Sequence, residues 1–236
     1  MRGLRYHLPI LGYHRVGPYK GDHVPTVSEE AFSSQLALLV RGRFRVLSLE
    51  EIAQCLDRGQ PLPRRSVALT FDDGYEETHT IAWPLLKRLG FPATAFVTPA
   101  EVGLPGFATW DQIGQMASDG MSIGSHTMSH SYLPLVRAER LSEELVGSKH
   151  VIEERIGHPV RFISYPVGGF TLQAQTIVKA AGYLAACTTN RAAPIAGMDR
   201  CALRRIKVTE RDANPVCFFA KISGYYDLFR QLKQPA

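Results

Sequence analysis

Short apolar runs of strand length alternate with amphipathic runs of helix length along most of this chain, and that alternation limits its fold more than any single residue does. Phe44 to Leu47, Val67 to Phe71, Ala93 to Val97, Met121 to Gly124, Phe162 to Tyr165, Tyr183 to Thr188 and Leu203 to Val208 read as strands. Between them, apolar residues recur at helical spacing. Phe32 to Val40 is a helix with Thr26-x-x-Glu29 as a capping box before it, Ser48-x-x-Glu51 opens a helix through Leu56, and Thr109-x-x-Gln112 opens one to Ser118. Tyr75 to Leu89 is helical with a kink at Pro84 and a stop at Gly90, and Ala138 to Ile156 is one long amphipathic helix closed by Gly157. Thr171 to Ala181 follows, and Asn214 caps a last helix with Pro215 in its first turn. Such alternation gives a parallel α/β barrel, whose active site belongs at the carboxyl ends of its strands.

Two motifs sit at such ends: Thr70-Phe71-Asp72-Asp73-Gly74 and Ser125-His126-Thr127-Met128-Ser129-His130. Each alone is ordinary, since Asp-Asp-Gly is a turn signal and two histidines one helical turn apart often line a surface. Gathered at the ends of neighbouring strands, they supply two imidazoles and a carboxylate, the minimal protein face for a catalytic divalent ion that keeps positions open. A second carboxylate remains. On a regular strand Asp72 and Asp73 would point to opposite faces, but Gly74 lets the chain turn so that both approach one cavity. One can bind metal while the other takes a proton, which suits hydrolysis. Zinc is the first expectation, and the same donors accept cobalt, nickel, manganese or iron.

From about Leu8 to about Val208 the chain resembles the polysaccharide deacetylases, carbohydrate esterase family four, also called the NodB-homology domain. The resemblance implies an irregular (β/α)7 barrel, with Asp72 as catalytic base and Asp73, His126 and His130 as the metal ligands. Ile10-Leu11-Gly12-Tyr13-His14-Arg15-Val16, then a helix and Phe44-Arg45-Val46-Leu47-Ser48-Leu49, is similar to the branch of exopolysaccharide poly-N-acetylglucosamine deacetylases. In that branch the general-acid histidine comes from the N-terminal segment. With no Leu-x-His near the C-terminus, this points to His14. Where many relatives read Arg-x-Pro-Tyr-Gly, this chain reads Ser164-Tyr165-Pro166-Val167-Gly168. The arginine that orients the catalytic aspartate is therefore absent from that position. Val167 replaces the tyrosine whose backbone N–H serves the oxyanion hole, a change that a main-chain donor tolerates. Tyr75, Trp110, Tyr165 and Phe170 are candidate sugar platforms, and Thr98 to Thr109 reads as a loop over the site. His7, His23, His79, His150 and His158 have no motif and are expected to be surface or structural.

The implied activity is removal of N-acetyl groups from N-acetylhexosamine units of a bacterial glycan or glycan precursor, with His14 as an imidazolium acid for the leaving amine. Deformylation or amide hydrolysis on a small or lipid-linked substrate, and metal and glycan binding without turnover, are the alternatives. At 236 residues and 45% hydrophobic content, a single domain over 1–236 can build its core without staples. Cys55, Cys187, Cys201 and Cys217 lack Cys-x-x-Cys spacing and read as reduced core residues. Formal net charge is +5, with Arg191, Arg200, Arg204, Arg205, Lys207 and Arg211 late in the chain, which favours an anionic partner such as a charged glycan or membrane surface. No nucleic-acid motif accompanies the charge, so nucleic acid is not expected. Met1 to Leu11 carries no apolar run of signal-peptide kind and nothing is long enough to span a bilayer, so the expected location is the cytoplasm, with peripheral membrane contact allowed.

Overall fold

The computed structural model describes residues 8–18, 24–190 and 199–226. In chain order it contains β1 (Ile10–Tyr13), β2 (Arg15–Val16), β3 (Thr26–Val27), α1 (Glu29–Arg41), β4 (Arg45–Val46), α2 (Leu49–Asp57), β5 (Ser66–Phe71), α3 (Trp83–Leu89) and β6 (Thr94–Val97). There follow α4 (Trp110–Ser118), β7 (Ser122–Ser125), α5 (Ser148–Ile156), β8 (Phe162–Ser164), α6 (Leu172–Ala180), β9 (Ala185–Thr188), β10 (Leu203–Arg204), β11 (Ile206–Lys207) and α7 (Pro215–Ile222). The main sheet is parallel and runs β10-β9-β8-β7-β6-β5-β1-β11, with β4 beside β5. β10 and β11 are two halves of one stretch, so the sheet closes on itself. Leu203 and Arg204 pair with β9, whereas Ile206 and Lys207 pair with β1. Among the described residues, β1, β5 to β9 and this divided stave make the seven of a (β/α)7 barrel. The single strand expected over Leu203 to Val208 is thus two, divided where the partner changes at Arg205.

Side-chain alternation sorts the strands into two cores. Inward-facing Ile10, Ala68, Phe96, Phe162, Cys187 and Leu203 plug the lumen, with Leu49 and Ile52 of α2 in the same cluster. Outward-facing Leu11, Tyr13, Leu69, Phe71, Ile123 and Ile163 belong to the larger core under the helices. There Tyr13 meets Phe32 of α1 edge-on and stacks on Phe71, both at 5.3 Å between ring centroids. Burying each such side chain stabilises the fold by about 1.5–3 kcal/mol. The inward series continues past the plug to Gly12 and His14 on one strand, and to Thr70 and Asp72 on its neighbour. The apolar lumen therefore gives way to a polar layer at the carboxyl ends.

Helix starts follow local chemistry at α2 and α4, where Ser48 with Glu51 and Thr109 with Gln112 form reciprocal capping boxes, and at α7, capped by Asn214. They depart from it at α1. Its cap is Ser28, which accepts from the Ala31 N–H, because Thr26 is drawn into β3 by pairing with β2. Residues 138–156 are not one regular helix either: a 3-10 turn (Ala138–Arg140) and a π-helical stretch (Glu143–Gly147) precede α5. Tyr75 to Leu89 likewise contains a π-helical stretch (Thr78–Ala82) ahead of α3, whose end is Gly90 at φ 65°. The four cysteines are free, with Cys187 and Cys201 buried, but Cys217 is exposed on α7 and is no core residue. No helix among the described residues is long and apolar enough to cross a membrane.

Candidate active site

Beyond β5 the chain turns through two left-handed residues, Asp73 at φ 72° and Gly74 at φ 78°. Aspartate tolerates that region better than most residues and glycine enters it freely. The turn undoes strand alternation, so both carboxylates reach the mouth of the lumen. β7 supplies the histidines. The His126 N–H donates to the Val97 carbonyl at 2.8 Å, extending the ladder, and left-handed Thr127 (φ 67°) and His130 (φ 54°) then curl the chain back. The two imidazole centroids end 4.9 Å apart. One donor atom each from Asp73, His126 and His130 lies within 4.8 Å of the others.

These three groups fit a divalent cation. Asp73 Oδ1 is 3.3 Å from the Nε2 of both histidines, yet it is buried without a hydrogen-bond partner among the described residues. His126 Nδ1 lies 2.7 Å from the Ser164 carbonyl. That oxygen only accepts, so Nδ1 carries the proton and Nε2 turns its lone pair toward Asp73. Donors that converge without satisfying one another are what a bound cation resolves.

The histidine loop is pinned by Glu144, a residue with no motif to mark it. Ser129 donates to its carboxylate through N–H (3.0 Å) and Oγ (2.6 Å), Ser131 Oγ is 3.3 Å away, and the Met128 N–H donates to its carbonyl at 3.1 Å. Glu144 lies within the π-helical stretch, where the widened turn frees its carbonyl for Met128 and for Ser148 Oγ at 2.7 Å. This is why the long helix is irregular. Glu144→Gln is expected to weaken metal binding by about 10–100-fold, as loss of a supporting contact around ligands does, in a chelator-competition titration. Unchanged affinity would mean that the loop holds its own shape.

Asp72 is gripped by Arg205. The guanidinium Nη1 and Nη2 donate to Asp72 Oδ1 and Oδ2 at 2.7 and 2.6 Å, and also reach Thr70 Oγ1 at 3.0 Å and Ser164 Oγ at 2.7 Å. Burial would raise the Asp72 carboxyl, but Arg205 outweighs it and holds the carboxyl below its ordinary value. The arginine missing before Pro166 is thus replaced from the divided stave. In the sequence Arg205 reads as one of a late basic group suited to an anionic partner, and the structure corrects that: it is buried and committed to Asp72. Arg200 is likewise paired, with Asp57 at 2.7 and 2.9 Å. His14 Nε2 lies 4.0 Å from Asp72 Oδ2. Burial lowers its pKa below the ordinary value against the pull of both aspartates.

Val167 is left-handed at φ 57° on the turn after β8, with its side chain 75% exposed. The aromatic candidates fare differently. Tyr165 is buried, stacked on Phe170 at 4.8 Å, and donates to the Cys201 carbonyl, so it offers no face to a sugar. Tyr75 is buried against Phe107 and the Arg15 guanidinium, and Trp110 packs on the core with Arg155 over its ring. His79 contacts Gln115 at the surface, whereas His7, His23 and Arg191 lie outside the described residues.

A parallel barrel carrying an Asp-His-His donor set and a separately held carboxylate at its strand ends belongs to the class of hydrolases. Residues 59–186 match the sequence model of the family described as polysaccharide deacetylase. The chain belongs to the polysaccharide deacetylase family. It is 29% identical to YxkH of Bacillus subtilis over 202 residues, 86% of this chain and 71% of that protein. It is 30% identical to the poly-β-1,6-N-acetyl-D-glucosamine N-deacetylase of Escherichia coli over 139 residues, 52% of this chain but only 21% of that longer protein. Among solved structures, deacetylase PplD of Streptococcus pyogenes in complex with acetate superposes with a TM-score of 0.79 at 25% identity, over 89% of this chain and 97% of that one. His14 and Arg205 both fall outside the matched segment.

Proposed function

We propose that this chain is a metal-dependent N-deacetylase acting on N-acetylhexosamine units of a glycan. The observation that carries the reading is the pairing of a convergent Asp73-His126-His130 triad with a second carboxylate, Asp72, held ionised by Arg205. The E. coli relative named for poly-β-1,6-N-acetyl-D-glucosamine supports that polymer as the substrate class.

Asp73, His126 and His130 would hold the ion, which when bound acidifies water and polarises the acyl oxygen. Asp72 takes the proton of the attacking water, and its fixed bidentate partner keeps the accepting oxygen in place. The Val167 N–H serves the developing oxyanion. His14 starts neutral, receives at Nε2 the proton held by Asp72, and passes it to the nitrogen as the C–N bond breaks, releasing acetate and a free amine.

Zinc-loaded protein incubated with N-acetylglucosamine oligomers is expected to release acetate and free amine in equal amounts. A chelator should abolish release and added metal restore it. Absence of acetate from every loaded sample would sink the reading, and formate from formylated substrates would replace it with deformylation.

A further inference from the structure

We propose that Tyr132 is the aromatic platform that seats a pyranose ring of the substrate beside the reacting acyl group, an inference that rests on the deacetylase reading. Tyr75 and Tyr165 are buried, and Trp110 and Phe170 are partly buried against the core. Tyr132 is 44% exposed. It stands two residues beyond His130, on a loop fixed on one side by Ser131 against Glu144 and on the other by fully buried Leu133.

The ring is seated on glycine. Gly169 has an ordinary backbone conformation, φ −82°, so nothing in its torsion angles demands glycine. Space does: an added Cβ would overlap Tyr132 Cε2 and stand 2.8 Å from Cζ. Gly169 lies two residues beyond Val167, so the ring forms the wall between the loop that carries His130 and the turn that carries Val167. Part of the ring rests on the Gly169 backbone, and the rest remains open to solvent. An aromatic surface held in this way loses little freedom when a sugar stacks on it, and a pyranose presents the C–H face that such a ring accepts. Tyr132 therefore helps set which ring of the glycan lies with its acetamide at the ion.

The test uses the zinc-loaded Asp72→Asn protein, whose turnover is expected to be slow on the timescale of a titration, titrated calorimetrically with a β-1,6-linked N-acetylglucosamine pentamer. Adding Tyr132→Ala is expected to weaken binding about tenfold, the scale of losing a contact aromatic, whereas Tyr132→Phe leaves it unchanged. Gly169→Ala, which displaces the ring while retaining the tyrosine, should also weaken it. With Asp72 intact, Tyr132→Ala should raise KM and spare kcat and metal content, a split that a merely structural role would not produce. Equal affinity of the Tyr132→Ala and parent proteins overturns the platform, as does a parent that does not bind the pentamer. Acetate release by the unaltered enzyme is read separately. If it fails while Tyr132→Ala still weakens binding, the deacetylase reading falls and the platform stands.

Discussion

Asp72→Asn is expected to lower kcat/KM by about 10²- to 10⁴-fold, the range lost when a positioned general base is removed, with metal content unchanged. The carboxyl oxygens of Asp72 are both occupied by Arg205, and Asp72 is not among the three converging donors. The amide is nearly isosteric but cannot take a proton at neutral pH, and it leaves the Arg205 charge without its counter-ion. Some thermal stability should be lost together with the activity. Acetate release and elemental analysis on the same preparation decide the matter. If metal and turnover vanish in parallel, Asp72 is a ligand and the base lies elsewhere.

Arg205→Met should be the most destabilising single change in the site. It keeps the volume of the side chain and removes its charge, leaving Asp72 buried and unpaired. Breaking one side of a buried ion pair costs about 3–5 kcal/mol, and urea unfolding would report it. A second effect has a definite sign. Without the guanidinium, burial acts on Asp72 against only the nearby His126 and His14, and raises its pKa. The base then needs a higher pH to be ionised, so the acidic limb of kcat/KM moves upward in pH. Arg205→Lys restores the charge but not the two-pronged grip, and should recover part of both losses. Wild-type stability together with a wild-type pH profile in Arg205→Met would show that Arg205 does not govern Asp72.

The Asp73-His126-His130 cluster was legible in the sequence because its parts are local: Asp73 follows directly on β5, and His126 and His130 share one turn after β7. Most of the barrel was legible because six of its seven staves leave a periodic trace; Phe44 to Leu47 leaves one too but forms β4 beside β5, and the first stave, Ile10–Tyr13, carries the His14 motif without reading as a strand. Arg205 was not, although it touches Asp72, since the two are 133 residues apart and only the register of a divided strand brings them together. The one available signal was an Arg204-Arg205 pair set between Leu203 and Ile206 in a stretch that reads as a strand. It reads as surface charge because a single strand over Leu203 to Val208 gives no reason for a change of partner at that residue. Glu144 was hidden for a related reason. A regular helix over Ala138 to Ile156 would carry it as one more acidic side chain among Glu139 and Glu143, and only the π-helical stretch turns it toward the histidine loop. Thr26 shows the reverse failure, a good local capping motif overruled by pairing between distant segments.

The residue that steadies the base sits at the seam where the ring of strands is sealed. Asp73, His126 and His130 are all delivered by staves formed earlier in the chain, so they could gather an ion before the last stave docks. Asp72 could not then be poised, because its partner arrives only with that stave. On the roles proposed above, a barrel whose last stave has not docked would bring Asp73, His126 and His130 together while leaving Asp72 without its partner.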